Sequence, residues 1–177
     1  MQRPRQVIGI RTAAAHVKTL SAADRTLRGT YWYDLRARDP LAAGVKRLID
    51  IAIAAPLTLL AAPLFLFREI VREPRVGFRG RELEVHVFRG RVFKSLPQLL
   101  DVLEGTMSLV GPRPMMPSEV ERHDARRFSV KPGWTGLWRI REGREQDLDR
   151  EYVNEWSLRR DLAILLQAVL RLGGPRR

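Results

Sequence analysis

The chain has no cysteine, which removes disulfides, thiolate metal sites and cysteine nucleophiles from its chemistry. Acidic residues are scarce, with 20 Asp and Glu against 32 Lys and Arg, and the net charge of +12 predicts attraction to anionic surfaces or phosphates. No carboxylate falls between Glu84 and Asp101. Helix-turn-helix, zinc-finger and RNP-type patterns are also missing, and the arginines are dispersed among apolar segments, so nucleic acid is not the expected partner despite a pI near 11.3. The first forty residues lack the apolar core and small-residue cleavage site of a secretory signal.

What is present suits one globular core: 177 residues with 45% hydrophobic content. Residues 1–43 read as a basic N-terminal extension. The Tyr31-Trp32-Tyr33 knot in it suits either loose order or anchoring at headgroup depth. Residues 44–73 carry one long hydrophobic run, the 17 uncharged residues Ile51 to Phe67, between Lys46-Arg47 and Arg68. As a straight helix the run would reach roughly 25 Å, short of a hydrocarbon core. Pro56 and Pro63 argue against straightness, and positive charge at both ends favours both on the cytoplasmic side. These features predict a broken, re-entrant hairpin; a short spanning helix and a buried core helix are the alternatives.

Residues 74–177 read as a small cytoplasmic domain of α+β class, predominantly helical, with amphipathic helices that are either core-packing or interfacial. Leu83, Val85 and Val87 alternate with Glu82, Glu84 and His86 as a half-buried strand, leaving His86 on the solvated face. In Leu96 to Pro114, Pro97 opens a helix, Leu96, Leu99, Leu100 and Leu103 form its apolar stripe, and Gly105 ends it. The Gly111-Pro112-Arg113-Pro114 turn then presents Arg113, whose planar fork suits a phosphate or carboxylate. Ser118 to Phe128 predicts a polar helix capped by Ser118, and Arg139, Arg141 and Arg144 alternate as a set of guanidiniums near a diphosphate would. A final helix starts at Ser157 and stops at Gly173-Gly174, with Leu158, Leu162, Leu165, Val169 and Leu172 as its stripe.

The Leu96 to Pro114 segment closely resembles the signature of the bacterial sugar transferases, monotopic phosphoglycosyl transferases that move a sugar 1-phosphate from a nucleotide sugar to polyprenyl phosphate. Lys46-Arg47-Leu48-Ile49-Asp50, Ala62-Pro63, Arg75-Val76-Gly77, Val130 to Gly136 and Tyr152 to Leu158 are similar to its other landmarks, in order, from about Gly44 to Gly174. The resemblance implies a bacterial inner-membrane location at the cytoplasmic face, with membrane lipid, polyprenyl phosphate and a UDP-sugar as partners and Mg2+ as cofactor. It also implies a nucleotide or phosphate site at Arg113, Arg144 and Asp149.

The departures bear on chemistry. Where the family has an Asp-Glu dyad, nucleophile and magnesium-associated residue together, this chain reads Lys94-Ser95, and the segment before it is shortened. An ammonium there opposes a nearby magnesium ion. Thr106 stands where the family has an acidic residue. Ser95 lacks an identifiable base, and Asp101 lies more than a helical turn further on. Three readings follow: a transferase with an altered site, a non-catalytic relative that binds lipid phosphate, nucleotide sugar or a partner, and a basic membrane-surface or nucleic-acid-binding protein. The first two agree best with the landmarks.

Overall fold

The computed structural model describes residues 39–122 and 125–172. The Tyr31-Trp32-Tyr33 knot and the Gly173-Gly174 stop lie outside them. The described architecture is mainly helical with two small sheets, in keeping with the α+β class.

Helix α1 spans Pro40–Phe67, 28 residues. Asp39 caps it, its Oδ1 accepting from the Ala42 amide at 2.9 Å, and Pro40 supplies a preset first-turn φ. The helix is continuous through Pro56 and Pro63, without the break expected at them. Each proline deletes a single N–H, and packing along one face holds the helix together across these gaps. That face carries the buried Asp50, Ala54 and Ala61, while Ile53 and Leu57 also pack on the core.

Strand β1, Ile70–Val76, follows and pairs antiparallel with β2, Glu82–Phe88, with Val71 opposite Val87 and Glu73 opposite Val85. Arg79 and Gly80 take left-handed φ values of 59° and 66° in the turn between them. The alternation in β2 is as expected: Val85 and Val87 are buried and Glu82 and Glu84 exposed. The outer edge of β2 is covered rather than open, since the His86 amide donates to Asp101 and the Phe88 amide to the Lys94 carbonyl.

Helix α2, Gln98–Glu104, ends at Gly105 in the left-handed region, as the sequence predicts. Its buried side is Leu99 and Val102 with Gln98 and Asp101, a stripe rotated from the leucine pattern because Asp101 reaches the β2 edge. Strands β3, Ser108–Val110, and β4, Gly133–Thr135, form a parallel pair beneath α1. Helices α3, Leu137–Ile140, α4, Glu145–Asn154, and α5, Leu158–Leu172, close the core around Leu109, Ile140, Tyr152 and Ile164.

Two expectations change here. The polar helix at Ser118 to Phe128 is instead two 3₁₀ segments, Pro117–Arg122 and Ala125–Ser129; Glu119 folds back onto the Met116 amide at 2.9 Å and tightens the first turn. In α5 the inward face is Asp161, Ile164, Leu165 and Ala168, whereas Leu162 and Val169 point outward with Leu166 and Leu170. The buried Asp161 sets that register. Ser157 caps α5 as expected, accepting from the Arg160 amide.

Candidate functional site

The Gly-Pro-Arg-Pro turn is built by close backbone contact. The Gly111 amide donates to the Thr135 carbonyl at 3.0 Å and the Gly133 amide to Pro112 at 2.8 Å. A Cβ on Gly133 would lie 2.1 Å from the Gly111 nitrogen, so only glycine fits. The turn thereby holds Arg113 at fixed height above the core.

Arg113 gathers acids around it. Its Nη2 donates to both carboxylate oxygens of Glu119, at 2.9 and 3.0 Å, and its Nε lies 3.0 Å from Glu145, off the hydrogen-bond axis. Behind it, Arg127 donates to the Arg113 carbonyl at 2.8 Å and pairs at 2.8 Å with Asp149, both side chains buried. Burial pushes the Asp149 carboxyl up to about 6, opposed by Arg127 and Arg113 and reinforced by Glu145. Arg113 and Asp149 are thus brought together, with Arg113 half exposed and Asp149 sealed beneath it. Arg144 is not part of the group: it is exposed at the start of α4 and pairs with Asp147 at 2.9 Å. The expected triple of guanidiniums likewise disperses. Arg141 pairs with Glu151, while Arg139 stacks over Trp138 and Trp134 at 4.9 and 5.8 Å.

At the edge of this surface stand Lys94 and Ser95. Lys94 Nζ lies 2.6 Å from Glu73 on β1, and Glu73 also binds Arg75 at 2.5 Å. Burial pushes the Glu73 carboxyl up, but hydrogen bonds and charge from Lys94 and Arg75 outweigh it and hold the group below its ordinary value. Ser95 Oγ is 3.5 Å from Arg139, and the Ser95 carbonyl accepts from Trp134 Nε1 at 2.8 Å. A carboxylate therefore does stand beside the dyad position, delivered by a strand twenty-one residues upstream. The register of β1 against the following loop, invisible in the linear spacing, is what brings it there.

Asp101 is fully buried and turned away from this edge. Its Oδ1 sits 2.6 Å from His86 Nδ1 and its Oδ2 accepts from the His86 amide at 2.9 Å. His86, expected to be merely solvated, is partnered. Burial raises the Asp101 carboxyl and the His86 contacts oppose that rise. Thr106 donates its hydroxyl to the Asp101 carbonyl, closing the end of α2.

A second polar centre joins the Lys46-Arg47-Leu48-Ile49-Asp50 landmark to the signature and to Tyr152 through Asp161. Lys46 Nζ meets Asp161 at 2.5 Å and the Val110 carbonyl at 3.1 Å; the Tyr152 hydroxyl shares its one proton between Asp161 at 2.9 Å and the Val110 carbonyl at 3.0 Å, and Trp156 Nε1 donates to Asp161. Asp50 accepts from Ser108 Oγ at 2.8 Å and from the Leu109 amide at 3.1 Å. Arg47 caps the last carbonyls of α2 at Val102 and Leu103. Burial raises the Asp161 carboxyl against the pull of Lys46, and raises Tyr152. The polar face of α1 thus acts as a latch, beside a pocket of about 260 Å³ lined by Lys46, Arg47, Ser129 and Trp156 among others. The sequence signal was the clustering of buried-type charge, Lys46 and Asp50, at the head of an apolar run.

Among the described residues, no three His, Asp or Glu side chains gather as a metal would require. At the dyad position the Lys94 ammonium on Glu73 is the wrong donor set for Mg2+.

The sequence profile for "Bacterial sugar transferase" matches residues 85–173. The chain is 38% identical over 118 residues to an undecaprenyl-phosphate galactose phosphotransferase of Salmonella typhimurium, covering 60% of this chain and 24% of that protein. It is 32% identical to a UDP-glucose:undecaprenyl-phosphate glucose-1-phosphate transferase of Caulobacter vibrioides, covering 70% of this chain and 68% of the relative. An uncharacterized sugar transferase, EpsL, of Bacillus subtilis is also 32% identical, with 72% of this chain and 87% of the relative aligned. The chain thus spans about a quarter of the Salmonella protein and most of the Bacillus one.

Proposed function

The chain belongs to the bacterial sugar transferase family, and we propose that it serves the lipid-linked sugar-phosphate step of polysaccharide biosynthesis at the cytoplasmic face of the bacterial inner membrane, as a scaffold that binds polyprenyl phosphate or a UDP-sugar without the usual dyad chemistry. The Lys94–Glu73 ion pair carries this reading. An ammonium cannot attack phosphorus as a carboxylate does, and here it also pairs with the Glu73 carboxylate beside it. Arg113 on its rigid turn and the stacked Arg139 supply the cationic surface that a diphosphate would meet. The relatives' printed activities support these substrate classes: undecaprenyl phosphate as acceptor, UDP-glucose as donor in the Caulobacter protein. Mg2+, which the resemblance implies, has no fitting ligand set at Lys94, and no step is assigned to it.

A specific observation favours a second reading. Glu73 is held ionised next to the dyad position. If Lys94 swings off, a Glu73 oxygen could attack the sugar-bearing phosphorus of a UDP-sugar. The phosphoanhydride bond breaks, UMP leaves with the electron pair, and an oxygen of polyprenyl phosphate then displaces Glu73 from the sugar phosphate.

The test incubates detergent-purified protein with undecaprenyl phosphate and labelled UDP-sugars, with a mock purification from the same host as control. The scaffold reading expects saturable binding of substrate and no lipid-linked product. Product above control that disappears in Glu73→Gln would replace it with the second reading. The triple change Lys94→Asp, Ser95→Glu, Glu73→Gln restores the dyad without placing two acids in repulsion; turnover gained there shows that the rest of the site is intact.

A further inference from the structure

Arg113 and Arg139 differ in what their charges already hold. Both oxygens of Glu119 accept from Arg113 Nη2, and Glu145 lies 3.0 Å from its Nε. Arg139, exposed on the short helix α3, makes no ion pair with a carboxylate among the described residues. Partial loss of water pushes its guanidinium below its ordinary value, and no acid offsets the fall.

Arg139 is nonetheless held in place. Its guanidinium lies 4.9 Å from the Trp138 ring centroid and 5.8 Å from that of Trp134. Each indole is fixed by its own N–H, Trp134 donating to the Ser95 carbonyl at 2.8 Å and Trp138 to the Gly111 carbonyl at 3.2 Å. The two rings thereby tie the Lys94-Ser95 edge to the start of the Gly-Pro-Arg-Pro turn, with Arg139 laid across them. Gly136 permits the close approach, since a Cβ there would lie 2.2 Å from the Gly111 carbonyl oxygen and 2.7 Å from Trp138 Nε1. A guanidinium stacked in advance loses little freedom when it takes a ligand.

The gap beside it has the chemistry of an anion site. Arg139 Nη2 stands 3.5 Å from Ser95 Oγ, the outer limit of a hydrogen bond, and neither side chain has another hydrogen-bond partner among the described residues. An oxyanion accepting from both the guanidinium and the hydroxyl would replace one long contact by two short, charge-assisted ones. It would displace no carboxylate, whereas an anion at Arg113 competes with Glu119 and Glu145. Around the same edge Lys94 and Arg75 share the Glu73 carboxylate, which leaves positive charge in excess.

We propose that Arg139, backed by Trp134 and Trp138, forms with Ser95 a phosphate-binding site at the Lys94-Ser95 edge, taking an oxyanion of polyprenyl phosphate or of the UDP-sugar diphosphate. The site rests on the scaffold reading above and deepens it. The edge that departs from the family signature holds the substrate's phosphate with a cation and a hydroxyl.

The test titrates undecaprenyl phosphate and UDP-glucose separately into the detergent-purified full chain and into Arg139→Gln. Arg72→Gln is the control, because it loses the same charge at an exposed position on β1. Melting temperatures are matched to the parent first. Arg139→Gln is expected to bind one ligand or both about 10–100-fold more weakly than the control does, as loss of charge-assisted hydrogen bonds predicts. The ligand that weakens identifies the source of the phosphate. Equal affinities of Arg139→Gln and Arg72→Gln for both ligands overturn the proposal, and the scaffold reading stands as long as the parent binds. A parent that binds neither ligand overturns both. Arginine modification by phenylglyoxal, read by peptide mass spectrometry on the unsubstituted protein, supplies a readout independent of any variant's folding. Bound ligand should shield Arg139; equal modification of Arg139 with and without each saturating ligand overturns the site.

Discussion

The latch at the head of α1 and the shortened edge at Lys94 sit on the same domain and differ in almost every physical respect. In the latch, Lys46 and Asp161 keep only 15% and 7% of their side-chain surface, and Asp161 has three side-chain partners. At the edge, Lys94 is 45% exposed and pairs with Glu73. The latch is made of the landmarks the family resemblance rests on, and the edge is made of the departures. The framework around Arg113 therefore stands apart from the residues in which the chain departs from the signature. Framework and reaction are separable because the groups that hold α1 to the signature turn are not the groups that would attack phosphorus.

The comparison breaks first if the latch proves dispensable. Asp161→Ala strands the Lys46 ammonium in a nearly dry site, with an expected loss of about 3–5 kcal/mol. Denaturant unfolding of the detergent-solubilised protein measures it; a loss under about 1 kcal/mol would put the latch in the same class as a surface pair. Next in size is Gly133→Ala, which forces a methyl onto the Gly111 backbone. A cost of about 1–3 kcal/mol is expected, together with weakened binding of any ligand that needs Arg113.

The pH dependence gives a smaller effect. Asp149, raised from 3.8 to about 6, binds its proton more readily folded than unfolded. Its contribution to stability is full below its ordinary value and is lost as pH rises through about 6. Between pH 7 and pH 5 the parent should gain on the order of 1 kcal/mol relative to Asp149→Asn. Paired melting curves at those pH values check this, and parallel shifts in the two proteins would deny Asp149 the role. The smallest effect belongs to the edge: Lys94→Ala should change stability by about 0–1 kcal/mol, because the pair is partly solvated. A larger loss in the same unfolding assay would mean that the shortened edge is structural after all.

Much of the local architecture was legible in the chain. Gly105 had to end α2, Ser157 had to cap α5, and the alternation at Leu83 to Val87 had to be a strand, because each depends on neighbours within one turn or one pleat. The misreadings share one cause. Pro56 and Pro63 suggested a break, but continuous packing on the domain outweighed two missing hydrogen bonds. The leucine stripes of α2 and α5 were each turned by one buried acid, Asp101 and Asp161, whose partners come from distant elements. Among the named residues, Arg113 and Asp149 are joined through Arg127, Arg144 stays apart, and Glu73 was hidden because strand register alone brings it to Lys94.

By itself the sequence determined the family signature, the Lys94-Ser95 pair at its upstream edge, the excess of positive charge and the single long apolar segment. These are properties of residue identity and short spacing, which folding does not alter. Only the tertiary structure decided which acid faces Lys94, which charges are sealed in the latch, and which side of α1 is left uncovered. Those outcomes depend on contacts between residues far apart in the chain, where the burial of one group sets the orientation of another.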